Sequence, residues 1–369
     1  MVLRAPIGGL YRHVVDLSGM LAKRGHQVGI VMDSEVEDAQ TFARIDALPE
    51  PPALGVHRVR IPRVLGLGDF TASFKIRDLA NSLKVDVVHG HGAKGGFSAR
   101  WARLGVPGRI SAYTPHGGVL HYSATSLAGI LFRRVEWFLL FMTDAMTFES
   151  AYARSEFEHQ IGKVKCLSRV ILNGLDESEF EPLDAADIDH DFAYVGELRP
   201  IKGIDVMLRA LPGVKRPDGQ PATLVLGGGG PEEMSLKALA QELGISQRVE
   251  FVGVQPARSV FGRGRVAIVP SRGESLPYVC LEAAAASKPL IATRVGGIAE
   301  IFGPTSASLV PPENVSALAG RMQAALDDMP AEQAEAERRF AHVREGFSML
   351  AMTDGIEAAY YDAIAARKR

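Results

Sequence analysis

Cysteine is scarce in this chain of 369 residues. Cys166 and Cys280 are the whole complement, too far apart for a CxxC pair and too few for a disulfide framework. A reducing compartment is therefore the default. No long apolar run is present either. The most apolar stretch, Leu127 to Met142, is interrupted by Arg133, Arg134 and Glu136, whereas a membrane span needs about 18 or more apolar residues without charges. No signal peptide is expected either, because Gly8 and Gly9 follow Arg4 before an apolar core. There is no excess of charge of one sign. Lys plus Arg number 41 and Asp plus Glu 43, a formal charge of −2. That excludes a protein that lives on nucleic-acid phosphates, which needs a basic face.

What is present is a globular composition. Hydrophobic residues make up 47% of the chain, too many for disorder. At about 150 residues per domain the length predicts two domains. Short β-branched runs alternate with helical patterns from end to end. The runs are Val28–Met32, Val85–His89, Arg109–Thr114, Ala145–Phe148, Val170–Leu172, Phe192–Val195, Thr223–Leu226, Val249–Val252, Val266–Val269, Leu290–Thr293 and Ser308–Val310. Most are continuously apolar, as strands covered on both faces are. The first helical stretch, Gly9 to Arg24, carries Leu10, Val14, Leu17 and Leu21 on one face and stops at Gly25. Such alternation predicts an α/β protein with parallel sheets and right-handed crossovers.

Eleven strands are too many for one ordinary open sheet, and the acidic, aperiodic stretch 177–191 reads as a linker. The expected organisation is therefore an N-terminal Rossmann-like domain (1–176), the linker (177–191) and a C-terminal Rossmann-like domain (192–345). A last helix (346–369, centred on Met349–Ala366) is expected to pack back on the first domain. Only Val2, Leu3 and Arg4 precede the first glycine turn, so the first strand looks clipped and its neighbours in the sheet are expected to be left open. Leu127–Met142 reads first as a core helix with a charged outer face. The alternative is a peripheral membrane contact through Leu131, Phe132, Trp137, Phe138 and the two arginines.

The motif with most information is PSRGESLPYVCLEAAAASKPLIATRVGGIAEI, Pro270 to Ile301. Glu274 falls in the loop after a strand and Glu282 eight residues on, in the early turns of a helix that Pro277 opens as first helical residue. Carboxylates so placed can accept hydrogen bonds from sugar and ribose hydroxyls. The backbone N–H groups of Ser275, Leu276 and their successors favour an anion at the helix start. Arg199 and Lys202 follow the run Phe192–Val195, at the strand end where open α/β sheets bind ligands, and suit a diphosphate. Gly8-Gly9 opens the first helix, where backbone can approach a phosphate. His116, in Tyr-Thr-Pro-His-Gly-Gly, can reach a sugar hydroxyl, although a lone histidine is more often structural. Asn173-Gly174 reads as a turn. The triplet Asp187-Ile188-Asp189 lies in the acidic linker and supplies too few oxygen ligands for a hard metal. His89-Gly90-His91 lacks a third ligand at zinc spacing.

Each signal alone is modest, but their order is informative. Gly-Gly, Arg-His-Val and Gly25-His26 are followed by Pro-His-Gly and Asn-Gly. Gly-x-x-Arg-x-x-Lys-Gly, Glu-x7-Glu and Val-Gly-Gly-x-x-Glu come next. From Gly8 to Tyr361 the chain resembles the family-4 retaining glycosyltransferases of the GT-B fold. That resemblance implies two doubly wound Rossmann-like domains facing across a cleft, with the donor held mainly by the second. It implies that Arg199 and Lys202 hold the donor diphosphate, Glu282 the ribose and Glu274 the transferred sugar. Gly9 and its neighbour Gly8 would approach the diphosphate, and His116 the sugar and the acceptor hydroxyl.

The resemblance further implies sugar transfer from a nucleoside-diphosphate donor to a glycan or lipid-linked acceptor. No metal and no cofactor are expected, and the location would be cytoplasmic, at the inner face of a membrane. Two departures stand out: Ser275-Leu276-Pro277 replaces the family's Gly-Phe-Gly after Glu274, and the run Gly227–Gly230 gives Gly-Gly-Gly-Pro231 where the family has Gly-Asp-Gly-Pro. Competing readings are a nucleotide-sugar epimerase or phosphorylase, and a nucleotide-binding protein without activity.

Overall fold

The computed structural model describes residues 1–36, 39–64, 66–118, 125–183 and 188–368, with the side chains of 39, 40 and 368 left aside. The chain forms two compact units, 1–174 with 349–369, and 175–348. In the first unit the strands are β1 (Ile30–Asp33), β2 (Val56–Val59), β3 (Val87–His91), β4 (Ile110–Thr114), β5 (Ala145–Phe148) and β6 (Leu167–Val170). All their pairings are parallel. Four of them, β1, β3, β4 and β5, are buried along nearly their whole length, which is why they read so clearly.

The first strand is a stub, yet it fills its place. Val2 bridges both Val31 and Gly90 in parallel. Val2 N–H donates to His89 O and His91 N–H to Val2 O, both at 2.8 Å, while Leu3 N–H donates to Val31 O at 3.0 Å. The expected open neighbours are therefore joined, and the strand order is 3-2-1-4-5-6-7, counting the stub first. Val2 packs with Val31, Ile61 and Val88, and Leu3 with Tyr11, Val14 and Ile30. Successive side chains go to opposite faces here, and Val2 and Leu3 are both buried.

The closing helix, Met349–Lys368, belongs to this unit. Met349, Met352, Ile356 and Tyr360 pack with Leu17, Leu21, Val28 and Ile110. Arg24 and His26 both bond Glu357, at 2.5 and 2.6 Å.

The helix Leu127–Leu139 corrects the sequence reading. Its outward side is apolar: Leu127, Ile130, Leu131, Trp137 and Phe138 are all exposed, as is Phe141 beyond it. Arg134 is exposed among them, while Glu136 turns inward. Glu136 is buried and bonds Arg100 at 2.5 Å, and the Arg100 guanidinium lies 3.9 Å from the Tyr113 ring centroid. Among the described residues no helix is long and apolar enough to cross a membrane.

The second unit holds β7 (His190–Val195), β8 (Leu224–Gly227), β9 (Val249–Gly253), β10 (Gly264–Val269) and β11 (Leu290–Ala292). They form one parallel sheet in the order 9-8-7-10-11, again 3-2-1-4-5 counted from its own first strand. Phe192, Leu224, Leu226 and Ile268 pack with Met207, Leu208, Leu318 and Met322. The expected strand Ser308–Val310 reduces to a single bridge, Val310 to Thr293, because a 3-10 turn occupies Gly303–Ser308.

The expected linker is also corrected in its described part. Glu177–Glu179 is a 3-10 turn capped by Asp176, Phe180 is buried against Phe340, and β7 begins at His190. The chain passes between units at 174–175 and 348–349, where Leu175 N–H donates to Phe347 O at 2.8 Å.

Candidate functional site

In the second unit the strand order reverses between β7 and β10, and open α/β sheets take ligands beyond the carboxyl ends of strands at such a point. The loops after these two strands converge there. Pro200–Lys202 forms a 3-10 turn, and Lys202 Nζ donates to Glu274 Oε1 at 2.6 Å. Ser271 Oγ donates to the same oxygen at 2.7 Å. Arg272 clamps the loops from behind. Its guanidinium makes a bidentate contact with Asp205 at 2.8 and 2.7 Å and also bonds Pro200 O at 2.5 Å. These bonds hold the Asp205 carboxyl below its ordinary range and the Arg272 guanidinium above its own. Ser271, Arg272 and Asp205 carry no signal in sequence, since their use depends on the pairing of β7 with β10.

The Val-Gly-Gly motif supports the same loop. Gly296 has φ +57°, and a Cβ there would lie 1.9 Å from Glu274 O, so only glycine fits. Gly297 N–H donates to Ser275 O at 2.7 Å. The helix that follows runs Tyr278–Ala285, with Pro277 at its N-cap rather than its first turn. Ser275 is half-buried. Leu276 is buried, so its side chain serves the core and only its backbone faces the helix start. Glu282 is half-buried in the second turn. Arg199 stands further out, exposed, 3.4 Å from Glu197 Oε2, and is not brought onto Glu274 as Lys202 is.

The first unit gathers a second group at the carboxyl ends of its strands. Gly8 and Gly9 are exposed and open the helix Gly8–Lys23, Gly8 at φ +69° with open space where a Cβ would stand. Its N-cap residue, Ile7, makes no side-chain cap, so the first N–H groups suit an anion. His116 follows β4 with φ +49°, a strained conformation for a non-glycine residue. Its Nε2 lies 3.2 Å from His91 Nδ1.

His13 completes this cluster. Its ring centroid is 4.9 Å from that of His116 and 5.4 Å from that of His91. His13 Nδ1 donates to Asn173 Oδ1 at 3.0 Å, so Asn173, read as a turn residue, is a buried partner of the cluster. Burial pushes the His13 and His116 imidazoles down to about 3, and those of His89 and His91 down as well. His89 belongs elsewhere: its nitrogens bond Tyr360 Oη at 2.6 Å and Thr114 Oγ1 at 2.8 Å. In the aspartate triplet, Asp187 lies outside the described residues, and Asp189 is paired with Arg263 and His190.

Both halves of the chain match known families. Residues 7–179 match the family described as Glycosyltransferase Family 4, and residues 176–341 that described as Glycosyl transferases group 1. A GDP-mannose-dependent alpha-(1-6)-phosphatidylinositol monomannoside mannosyltransferase of Mycobacterium tuberculosis is 32% identical over 327 residues, 82% of this chain and 81% of that protein. A glycogen synthase of the same organism is 27% identical over 89% of this chain and 85% of its own length. Among solved structures, sucrose-phosphate synthase from Thermosynechococcus elongatus gives a TM-score of 0.79 at 21% identity over 99% of both chains. Anabaena Alr3699/HepE, solved with UDP-glucose, gives 0.79 at 19% identity over 98% of this chain and 99% of its own. The two parallel sheets, the order of motifs and these matches together place the chain among the family-4, group 1 glycosyltransferases of the GT-B fold.

Proposed function

We propose that this glycosyltransferase moves a sugar from a nucleoside-diphosphate donor to a hydroxyl of a glycan or lipid-linked acceptor, with retention and without a metal at the diphosphate. The observation that carries this reading is the Lys202–Glu274 pair at the switch point of the second unit, beside a helix N-terminus. Lys202 and Arg199 neutralise the diphosphate as the bond from the anomeric carbon to the phosphate oxygen breaks. The N–H groups from Ser275 and Leu276 onward add donors. Glu282 accepts from ribose hydroxyls and Glu274 from those of the transferred sugar. In the first unit, the N–H groups at Gly8 and Gly9 bind phosphate oxygens, and His116 hydrogen-bonds a sugar or acceptor hydroxyl as a neutral imidazole.

The acceptor oxygen bonds the anomeric carbon on the face the diphosphate leaves, and its proton passes to the departing phosphate oxygen. The names of the relatives support a nucleotide-sugar donor, one being GDP-mannose-dependent and another solved with UDP-glucose. The apolar outward side of Leu127–Leu139, with Arg134 exposed on it, supports a membrane-borne acceptor at the inner face of a cytoplasmic membrane.

The test is release of nucleoside diphosphate from a donor panel in the presence of EDTA, with the anomeric configuration of the product read by NMR. Glu274→Ala should abolish transfer. Donor consumed without an acceptor would indicate an epimerase instead, and tight nucleotide binding with no turnover would indicate an inactive binding protein.

A further inference from the structure

We propose that His13, His91 and His116 form a site for one divalent transition cation, with zinc the best match. The three residues come from separate segments: the helix Gly8–Lys23, the end of β3 and the turn after β4. One ring nitrogen of each lies within 4.8 Å of the others. One pair, His91 Nδ1 and His116 Nε2, is 3.2 Å apart. Two nitrogens on a tetrahedral zinc at about 2.0–2.1 Å are about 3.3–3.4 Å apart, so this pair already has the needed span.

A second observation points the same way. Among the described residues His13 Nε2 is buried without a hydrogen-bond partner, in a residue 2% exposed. Such an orphaned buried nitrogen is costly unless something uses it. Asn173 Oδ1 can only accept, so the His13 proton sits on Nδ1 and the Nε2 lone pair is free. A second partner that fixes the tautomer in this way is the usual companion of a ligating histidine. His89 is excluded, since both its nitrogens are bonded. A ligand set of three imidazoles selects zinc, copper or nickel over magnesium or calcium, and the buried Glu149 carboxylate, whose charge acts on His13, favours a cation there. Three protein ligands leave a fourth position open.

The site shares His116 with the proposed transfer reaction. On that reading a bound cation withdraws the imidazole from the sugar and inhibits. Binding itself can be read without turnover, so failure of the site and failure of the transfer reading are distinguishable.

The experiment titrates tag-free, metal-stripped chain with zinc by calorimetry and with cobalt by visible absorption. One zinc per chain at micromolar affinity or tighter is expected, with the intense bands of tetrahedral cobalt. Magnesium should give no heat. His13→Gln and His91→Gln should each weaken zinc binding at least tenfold, His13→Cys should keep a shifted cobalt spectrum, and the exposed His159→Gln should change nothing. Absence of saturable binding by the wild-type chain, or binding undiminished in both glutamine variants, overturns the proposal. Zinc binding without inhibition upholds the site and removes His116 from the transfer reaction.

Discussion

Replacing Lys202 should weaken nucleotide binding, whereas replacing its partner Glu274 should not. In the unliganded chain the Lys202 ammonium is committed to the Glu274 carboxylate at 2.6 Å, with side chains 25% and 10% exposed. A free nucleoside diphosphate must share that ammonium with a fixed carboxylate. A charge-assisted hydrogen bond of this kind is worth about 1.5–3 kcal/mol, or roughly 10- to 150-fold in affinity. Lys202→Ala should therefore weaken binding of the nucleoside diphosphate by one to two orders of magnitude. Glu274→Gln keeps the side-chain shape and its bond to Ser271 but frees the ammonium, so the same ligand should bind equally or several-fold more tightly. Transfer should nonetheless fall by about 100-fold or more, as for loss of a group aimed at the reacting centre. Calorimetry with the nucleoside diphosphate, alongside initial rates with the full donor, reads both effects, and far-UV circular dichroism checks the fold. Unchanged binding in Lys202→Ala, or binding weakened as much by Glu274→Gln as by Lys202→Ala, would refute the reasoning.

Other outcomes follow from the same geometry. Glu136→Ala leaves Arg100, with no exposed surface, as an uncompensated buried charge. It should cost about 3–5 kcal/mol, seen as a fall of roughly 10 °C in Tm. The His13 imidazole titrates near 6.5 when unfolded and at about 3 when folded, so the unfolded chain takes up the proton first. Stability is then full above pH 6.5 and lost as pH falls toward 3. By pH 5 His13 alone should cost about 2 kcal/mol, and His89, His91 and His116 act in the same direction, measurable by urea unfolding at pH 7.5 and 5. Gly296→Ala places a Cβ against Glu274 O at φ +57° and should lower kcat/KM by about 100-fold through the displaced loop. Phe138→Asp should reduce co-sedimentation with phosphatidylserine vesicles at least tenfold without altering binding of the nucleoside diphosphate.

The parts legible in sequence are those fixed by local pattern. Buried strands such as Ala145–Phe148 and Phe192–Val195 read well because both their faces are covered. The edge strand Val56–Val59 is half-buried throughout, so it shows neither an apolar run nor a clear alternation. The stub at Val2 is legible only through its two neighbours. Leu127–Leu139 is amphipathic in sequence, but amphipathicity does not say which face is inside, and the buried partner of Glu136 is 36 positions away. Lys202 and Glu274 were legible as a pair of motifs, whereas the contributions of Ser271 and Arg272 depend on adjacent strand ends. His13, His91 and His116 span more than a hundred positions, and no spacing rule unites them before the sheet is built.

The most direct measurement is calorimetric titration of the intact chain with UDP, GDP and ADP, in EDTA and again in magnesium. The account predicts that one nucleoside diphosphate binds with the same affinity in both buffers, and that Lys202→Ala weakens it by one to two orders of magnitude. Strict dependence on magnesium, or binding indifferent to Lys202, would contradict it.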